Sequence, residues 1–100
     1  MTDRELLEAA ARAFLPAENL KCASFMAGFM SNWNPLTDDG DALRLAVKLR
    51  LTVNCSYSNV AVVGQEFKQA YFMKECNKDD PYAATRRAIV RAAAELGKQA

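Results

Sequence analysis

Histidine is absent from this chain, and its absence removes the side chain that most often acts as a general base or binds a metal. The sequence also has no nucleophile elbow, no P-loop and no dinucleotide fingerprint. Neighbouring acids such as Glu75, Asp79 and Asp80 act as a catalytic pair only inside a pocket, which this sequence does not indicate. We therefore expect a protein that is not an enzyme and that holds no cofactor.

Cysteine is scarce, because the chain has only Cys22, Cys55 and Cys76, and no two of them form a CxxC pair. An odd number of widely separated cysteines is not typical of a disulfide framework. Without histidine, the same spacing argues against a zinc site, so we predict no bound metal. We expect the three thiols to be small buried apolar groups.

Net charge and long apolar runs are also missing. Thirteen basic residues offset 12 acidic ones, so no overall field favours nucleic acid or an anionic membrane. The longest apolar run, from Ala23 to Met30, is far shorter than the ~20 residues that span a bilayer. The N-terminal segment is charged and amphipathic and lacks the apolar stretch of a signal peptide. We expect a cytoplasmic protein without a membrane partner.

Hydrophobic residues, in contrast, are abundant at 51% of 100 residues, which is the composition of one globular domain. Thr2 and Glu5 have the spacing of a capping box, and the apolar period behind them predicts a first helix over 3–15. The final helix is predicted to begin at Asp80 and Pro81, an N-cap followed by proline, and to stop at Gly97.

The central helix is predicted to start at Thr37 or Asp38. Its inner face is formed by Ala42, Leu45, Ala46 and Leu49. Leu43 and Val47 widen that face and leave few positions for solvent, so the helix should be covered on more than one side.

The period changes to two after the central helix. Strands predicted over 51–57, 60–63 and 69–76 form an antiparallel meander. A strand around 20–26 also fits the alternation, although a short helix through Ala23–Met30 fits as well. The predicted fold is α+β, in the order helix, strand, helix, three strands, helix, with an antiparallel sheet packed with helices in an α/β/α sandwich-like layout.

Two long blocks of the sequence resemble the phage ABA sandwich family. They are Trp33–Leu49, which reads Trp-Asn-Pro-Leu-Thr-Asp-Asp-Gly-Asp-Ala and runs into an apolar helix, and Asp80–Gly97, which opens Asp-Pro-Tyr-Ala-Ala-Thr-Arg-Arg. The opening Asp3–Glu8 is similar to the family's first helix. The resemblance covers about half of the chain.

The resemblance implies one domain over residues 1–100, a helix–sheet–helix sandwich, and an origin in phages or prophages of bacteria such as pseudomonads. It brings no catalytic residues. The segments 16–31 and 52–76 match no part of the pattern, so we expect the features particular to this protein to lie there.

Partner-binding candidates precede the first of these blocks. The adjacent pairs Phe25-Met26 and Phe29-Met30 cannot all face inward in a strand, so an exposed pair would mark a partner surface or the seam of a homodimer. Core packing is the alternative for both pairs. Trp33 either packs over the central helix or acts as a binding hot spot.

Two charged clusters allow a structural and a functional interpretation. Asp38, Asp39 and Asp41 favour helix capping, and a weak Mg²⁺ or Ca²⁺ site is the alternative. Arg86, Arg87 and Arg91 of the last helix are expected to be solvated, and nucleic-acid contact is the alternative; the central helix adds Arg44, Lys48 and Arg50.

The leading functional hypothesis is a non-enzymatic phage-encoded accessory protein that binds a host protein. An inhibitor of bacterial defence, of the anti-CRISPR type, is one version of it. The alternative is a nucleic-acid-binding phage regulator that uses the basic helix face.

Overall fold

The computed structural model describes residues 2–15, 23–55, 59–64, 71–76 and 80–99. Side chains are described in these ranges except at 23, 59–64, 71–76 and 98–99. The elements are α1 (Asp3–Phe14), α2 (Ala23–Ser31), α3 (Asp39–Lys48), β1 (Leu51–Cys55), β2 (Asn59–Gly64), β3 (Tyr71–Cys76) and α4 (Pro81–Gln99).

The predicted α+β order of helix, strand, helix, three strands, helix is wrong. The residues 23–26, predicted as part of a strand, belong to α2, while 20–22 lie outside the described residues. Phe25 and Phe29 explain the helix, because their rings stack with centroids 6.5 Å apart. In a strand, residues four positions apart are separated by about 13 Å, whereas one helical turn brings them together.

The structure is mostly helical, with helices of 12, 9, 10 and 19 residues against strands of 5, 6 and 6. The predicted sandwich is wrong as well. Among the described elements, α1 packs extensively on α4, and α4 in turn contacts all three strands. α3 lies beside α4 and contacts β1. α4 is therefore the central element, because it contacts α1, α3 and all three strands.

The strands lie in the order β1-β2-β3, and both pairs are antiparallel. Leu51 of β1 is opposite Gly64, and Cys55 is opposite Val60. β1 is consequently an edge strand of the described sheet. The segments 56–58, 65–70 and 77–79, where turns and a loop were predicted, lie outside the described residues.

Three of the described helices, α1, α3 and α4, begin at local caps. The capping box at Thr2 is confirmed, because the Glu5 amide donates to Thr2 Oγ1 at 3.2 Å and Glu5 Oε1 accepts from the Thr2 amide at 3.4 Å. These bonds from Thr2 lower the pKa of Glu5 below its usual value of 4.5. Asp38 caps α3, and Asp80 Oδ1 accepts from the Ala83 amide at 3.1 Å at the start of α4.

The contact between α1 and α4 is built from small residues. Both helices bury alanines, which are Ala9, Ala10 and Ala11 in α1 and Ala84, Ala88, Ala92, Ala93 and Ala94 in α4. A Cβ placed on Gly97 would lie only 1.8 Å from the carbonyl oxygen of Ala9. Gly97 was predicted to end the last helix, but α4 continues to Gln99. The glycine instead permits the close approach of the two helix backbones.

Arg50 makes the sharp connection from α3 to β1. Its φ of 54° lies in the left-handed region, and its amide donates to the Val47 carbonyl at 3.2 Å. The Leu49 amide donates to the Leu45 carbonyl at 3.1 Å. α3 ends at Lys48 and β1 begins at Leu51, so a turn of two residues, Leu49 and Arg50, connects them.

Candidate binding cleft

A cleft of about 590 Å³ is lined by residues of α3, β1 and the N-terminal half of α4. The lining residues are Asp39, Ala42, Leu43 and Ala46 of α3, Val53 and Cys55 of β1, and Pro81, Tyr82, Thr85, Arg86 and Ile89 of α4. Its volume is within the range of ~300–1,000 Å³ that is typical of ligand sites. Most of the lining is apolar, so the cleft offers a surface that water solvates poorly.

The cleft is rimmed by large apolar side chains that are exposed. Leu43 is 64% exposed and Tyr82 is 70% exposed, and both line the cleft. Val47 lies one turn after Leu43 on α3 and is 68% exposed. Ile89, by contrast, is only 5% exposed. The apolar surface therefore extends from the buried core out along α3.

The two charged residues in the lining neutralise one another. Arg86 Nη1 bonds Asp39 Oδ1 at 2.5 Å, and Arg86 Nε donates to the carbonyl of Leu36 at 2.8 Å. The Arg86 side chain is 18% exposed, whereas that of Asp39 is 70% exposed. This pair ties the start of α3 to α4 and leaves the cleft without a net charge.

Cys55 and Thr85 are two of the uncharged polar residues in the described lining, which also includes Tyr82. Cys55 was predicted to be buried, but it is an exposed free thiol, so that prediction is wrong for this residue. Its Sγ lies 3.9 Å from Thr85 Oγ1, and Thr85 Oγ1 donates to the Pro81 carbonyl at 2.7 Å. Cys22 lies outside the described residues, and the side chain of Cys76 is not among the described side chains.

The wall formed by α3 is held in place by Asp41. Its Oδ2 accepts from the Asn34 amide at 3.0 Å and its Oδ1 accepts from Arg44 at 2.6 Å, and the side chain is 14% exposed. Burial alone raises the pKa of Asp41, but the Asn34 hydrogen bond and the Arg44 guanidinium outweigh it and hold the pKa below 3.8. Asp38 Oδ2 accepts from the Asp41 amide at 2.8 Å. These aspartates thus cap and anchor α3.

A metal at the aspartate cluster was the alternative interpretation. Within the described ranges, no group of three or more Cys, Asp or Glu side chains is arranged so that it could hold a metal ion.

The predicted partner-binding residues lie in and after α2, and none of them is among the residues that line the cleft. Trp33 is 6% exposed, and its ring lies 5.7 Å from that of Phe14 and 5.0 Å from that of Phe29. Met26 and Phe29 pack against the core, and Met30 is half-buried. Phe25 alone of the five is exposed, at 43%. The structure therefore brings three of them, Phe25, Phe29 and Trp33, together in one aromatic cluster with Phe14, and Phe25 is its exposed member.

The predicted nucleic-acid residues do not share one environment. Arg86 is bonded to Asp39 and Leu36, as described above. Arg87 Nη1 bonds Asp3 Oδ1 of α1 at 3.2 Å, and its side chain is 44% exposed. Arg91 is half-buried and has an interaction of its own. At least two of the three therefore bond groups of the same chain.

Sequence reasoning missed the cleft, because it assigned Leu43 and Val47 to a covered face of the central helix. The signal was present in the excess of apolar positions on that helix. A helix with so few polar positions needs cover on several sides. Among the described residues, nothing covers Leu43 and Val47 fully.

Comparisons with family models, curated proteins and solved structures give no match to this chain. The resemblance to the phage ABA sandwich family therefore stays a prediction. Among the described helices, none has the length and apolar character needed to cross a membrane.

Proposed function

We propose that this chain is a non-enzymatic binding protein whose cleft receives an apolar segment of another protein. The observation that supports it is the uncharged apolar cleft of about 590 Å³, which is rimmed by exposed Leu43 and Tyr82. Exposed apolar surface next to a cleft is typical of interaction sites, because binding removes that surface from water.

A protein segment fits the surface better than a small molecule does. Small-molecule sites orient their ligand with a few unpaired polar groups. Here Arg86 already bonds Asp39, and the Thr85 hydroxyl already donates to the Pro81 carbonyl. The apolar surface also continues outside the cleft to Val47, which a longer partner would cover.

The resemblance to small phage proteins supports a bacterial host protein as this partner, in the host cytoplasm. Inhibition of a bacterial defence system, of the anti-CRISPR type, is one version of this proposal. The nucleic-acid alternative has less support, because Arg86 and Arg87 bond Asp39 and Asp3. Gel shifts with DNA and RNA at two salt concentrations test that alternative, since phosphate binding weakens steeply with salt.

Affinity capture from a bacterial lysate, quantified by mass spectrometry, tests the cleft. The baits are the wild-type chain, Leu43→Lys, Tyr82→Ser and the control Phe25→Ser. We expect at least one host protein that wild type and Phe25→Ser retain and that both cleft variants lose. Loss with Phe25→Ser alone would move the site to α2, and the absence of any protein that depends on Leu43 would refute the proposal.

The variants are chosen so that folding does not decide the result. Leu43, Tyr82 and Phe25 are 64%, 70% and 43% exposed. Substitutions at such surface positions usually change the free energy of unfolding by no more than ~0.5 kcal/mol. Thermal unfolding of each purified bait, followed by circular dichroism, provides the check.

A further inference from the structure

The helices beside the described sheet are wider than the sheet itself. α4 has its most extensive strand contacts with β2 and β3, while α3 packs beside α4 and contacts β1. Packed helices lie ~8–10 Å apart and paired strands ~4.7–4.9 Å apart, so two helices side by side cover about four strands. The described sheet has three. The helices therefore have room beneath them for one more strand than the described sheet contains. That unfilled strand position lies beside β1 and next to α3.

The edge of β1 at that position is available for pairing. Within the described sheet, β1 pairs with β2 alone, so the backbone groups of its other edge face no strand of the described residues. An edge of this kind is a template for a further strand. Val53 and Cys55, two positions apart on β1, both line the cleft and mark the face that an added strand would continue.

The side chains around that position specify what it accepts. Leu43 and Val47 are one turn apart and form an exposed apolar stripe along α3. Among the described lining residues, the charged ones are Asp39 and Arg86, and these two are bonded to each other. The matching segment carries uncharged apolar side chains at alternate positions, because alternate side chains of a strand share one face.

We propose that the cleft binds an extended segment of a partner protein, which pairs with the edge of β1 that no described strand occupies and places alternate apolar side chains beneath α3. This inference rests on the proposed function and specifies the partner's conformation. Strand addition draws affinity from backbone hydrogen bonds and specificity from pockets for alternate side chains.

A second copy of this chain fits the position less well. If two β1 strands paired edge to edge about a twofold axis, both α3 helices would lie on the same face of the joined sheet. Both helices would then compete for the space over the paired strands. An α-helix as occupant also fits less well, because its diameter of ~10–12 Å is about twice the spacing of one strand. A single extended segment meets neither obstacle.

The probe is a displayed library of random heptapeptides, selected on the full wild-type chain and counter-selected on Leu43→Lys. Seven residues are enough to pair along the five residues of β1. We expect enriched peptides with apolar residues at positions i, i+2 and i+4. We also expect Leu43→Lys to weaken binding by at least tenfold and Phe25→Ser to weaken it less than twofold.

Backbone N-methylation of the best synthetic peptide tests the strand directly. Alternate amides of an added strand donate to β1, so methylation there should weaken binding at least tenfold, and methylation of the intervening amides by less than threefold. The bound peptide should also slow alkylation of the exposed Cys55 thiol, measured by peptide mapping.

The remaining outcomes separate this inference from the proposed function. Peptides that depend on Leu43 but show helical spacing, or no alternation under N-methylation, would overturn the added strand and leave the binding cleft standing. A dimer at micromolar concentration that Leu43→Lys abolishes would replace the segment with a second copy. No enriched peptide at all would overturn the added strand, and the proposed function would then depend on the lysate experiment alone.

Discussion

The two halves of α4 differ in how they are covered. The C-terminal half packs against α1 so closely that Gly97 has no room for a Cβ beside Ala9. The N-terminal half borders the cleft, where Tyr82 is 70% exposed. Small side chains allow the backbones of α1 and α4 to approach and exclude water between them. The residues of α3, β1 and α4 that line the cleft leave open space instead. One helix thus provides both the firmest contact of the described structure and its candidate binding surface.

The largest test of this contrast is Gly97→Ala. A Cβ there would lie 1.8 Å from the Ala9 carbonyl oxygen, so the helices must separate, and we expect a loss of at least ~3 kcal/mol in the free energy of unfolding. The matched control is Gly28→Ala in α2, where a Cβ meets nothing within 4 Å and alanine favours the helix by about 0.5–1 kcal/mol. Urea denaturation measures both, and similar destabilisation by the two variants would contradict the close-packing argument.

A second test compares two leucines of α3. Leu45 is 0% exposed and Leu43 is 64% exposed. Leu45→Ala should lower the free energy of unfolding by about 2–5 kcal/mol, because it leaves a cavity. Leu43→Ala should change it by no more than ~0.5 kcal/mol while it weakens partner binding. Equal losses of stability in urea denaturation would mean that Leu43 belongs to the core.

Arg86 provides the third test, because it ties the cleft wall to α4. Arg86→Gln removes the bonds to Asp39 and to the Leu36 carbonyl, and we expect a loss of about 1–2 kcal/mol. Asp39→Asn should cost less, about 0–1 kcal/mol, because Asp39 is 70% exposed and Arg86 keeps its bond to Leu36. Thermal unfolding ranks the two variants, and a larger loss for Asp39→Asn would contradict this account of the wall.

The smallest expected effect concerns acid and Asp41. Its pKa in the folded chain is lowered below 3.8, so the stability that it contributes is present above 3.8 and is lost as the pH falls through the folded pKa. Asp41→Asn should therefore reduce the slope of stability against pH below about pH 4, without changing the slope near neutrality. Urea denaturation at a series of pH values measures this, and an unchanged acid slope would show that Asp41 does not anchor α3.

The sequence predicted the local parts of the fold more successfully than their packing. The starts of α1, α3 and α4 follow from Thr2, Asp38 and Asp80, because a cap is satisfied within one turn of chain. α2 was ambiguous, since nine residues without a charge carry no clear period. Phe25 and Phe29 stack one helical turn apart, and Phe29 also stacks on Phe14 of α1, a contact that lies outside any local window around α2.

The candidate site depended on contacts that no local pattern contains. Leu43 and Leu45 are both apolar positions of one helix, and the sequence cannot say which of them meets a neighbour. Gly97 has the appearance of a helix stop until α1 is placed against it.

The sequence by itself determined where α1, α3 and α4 begin and that the positive and negative charges nearly cancel. Only the tertiary structure decided that the C-terminal half of α4 packs closely against α1 and that its N-terminal half borders a cleft. The physical reason is range: caps and turns act within a few residues, whereas burial depends on which distant surfaces meet.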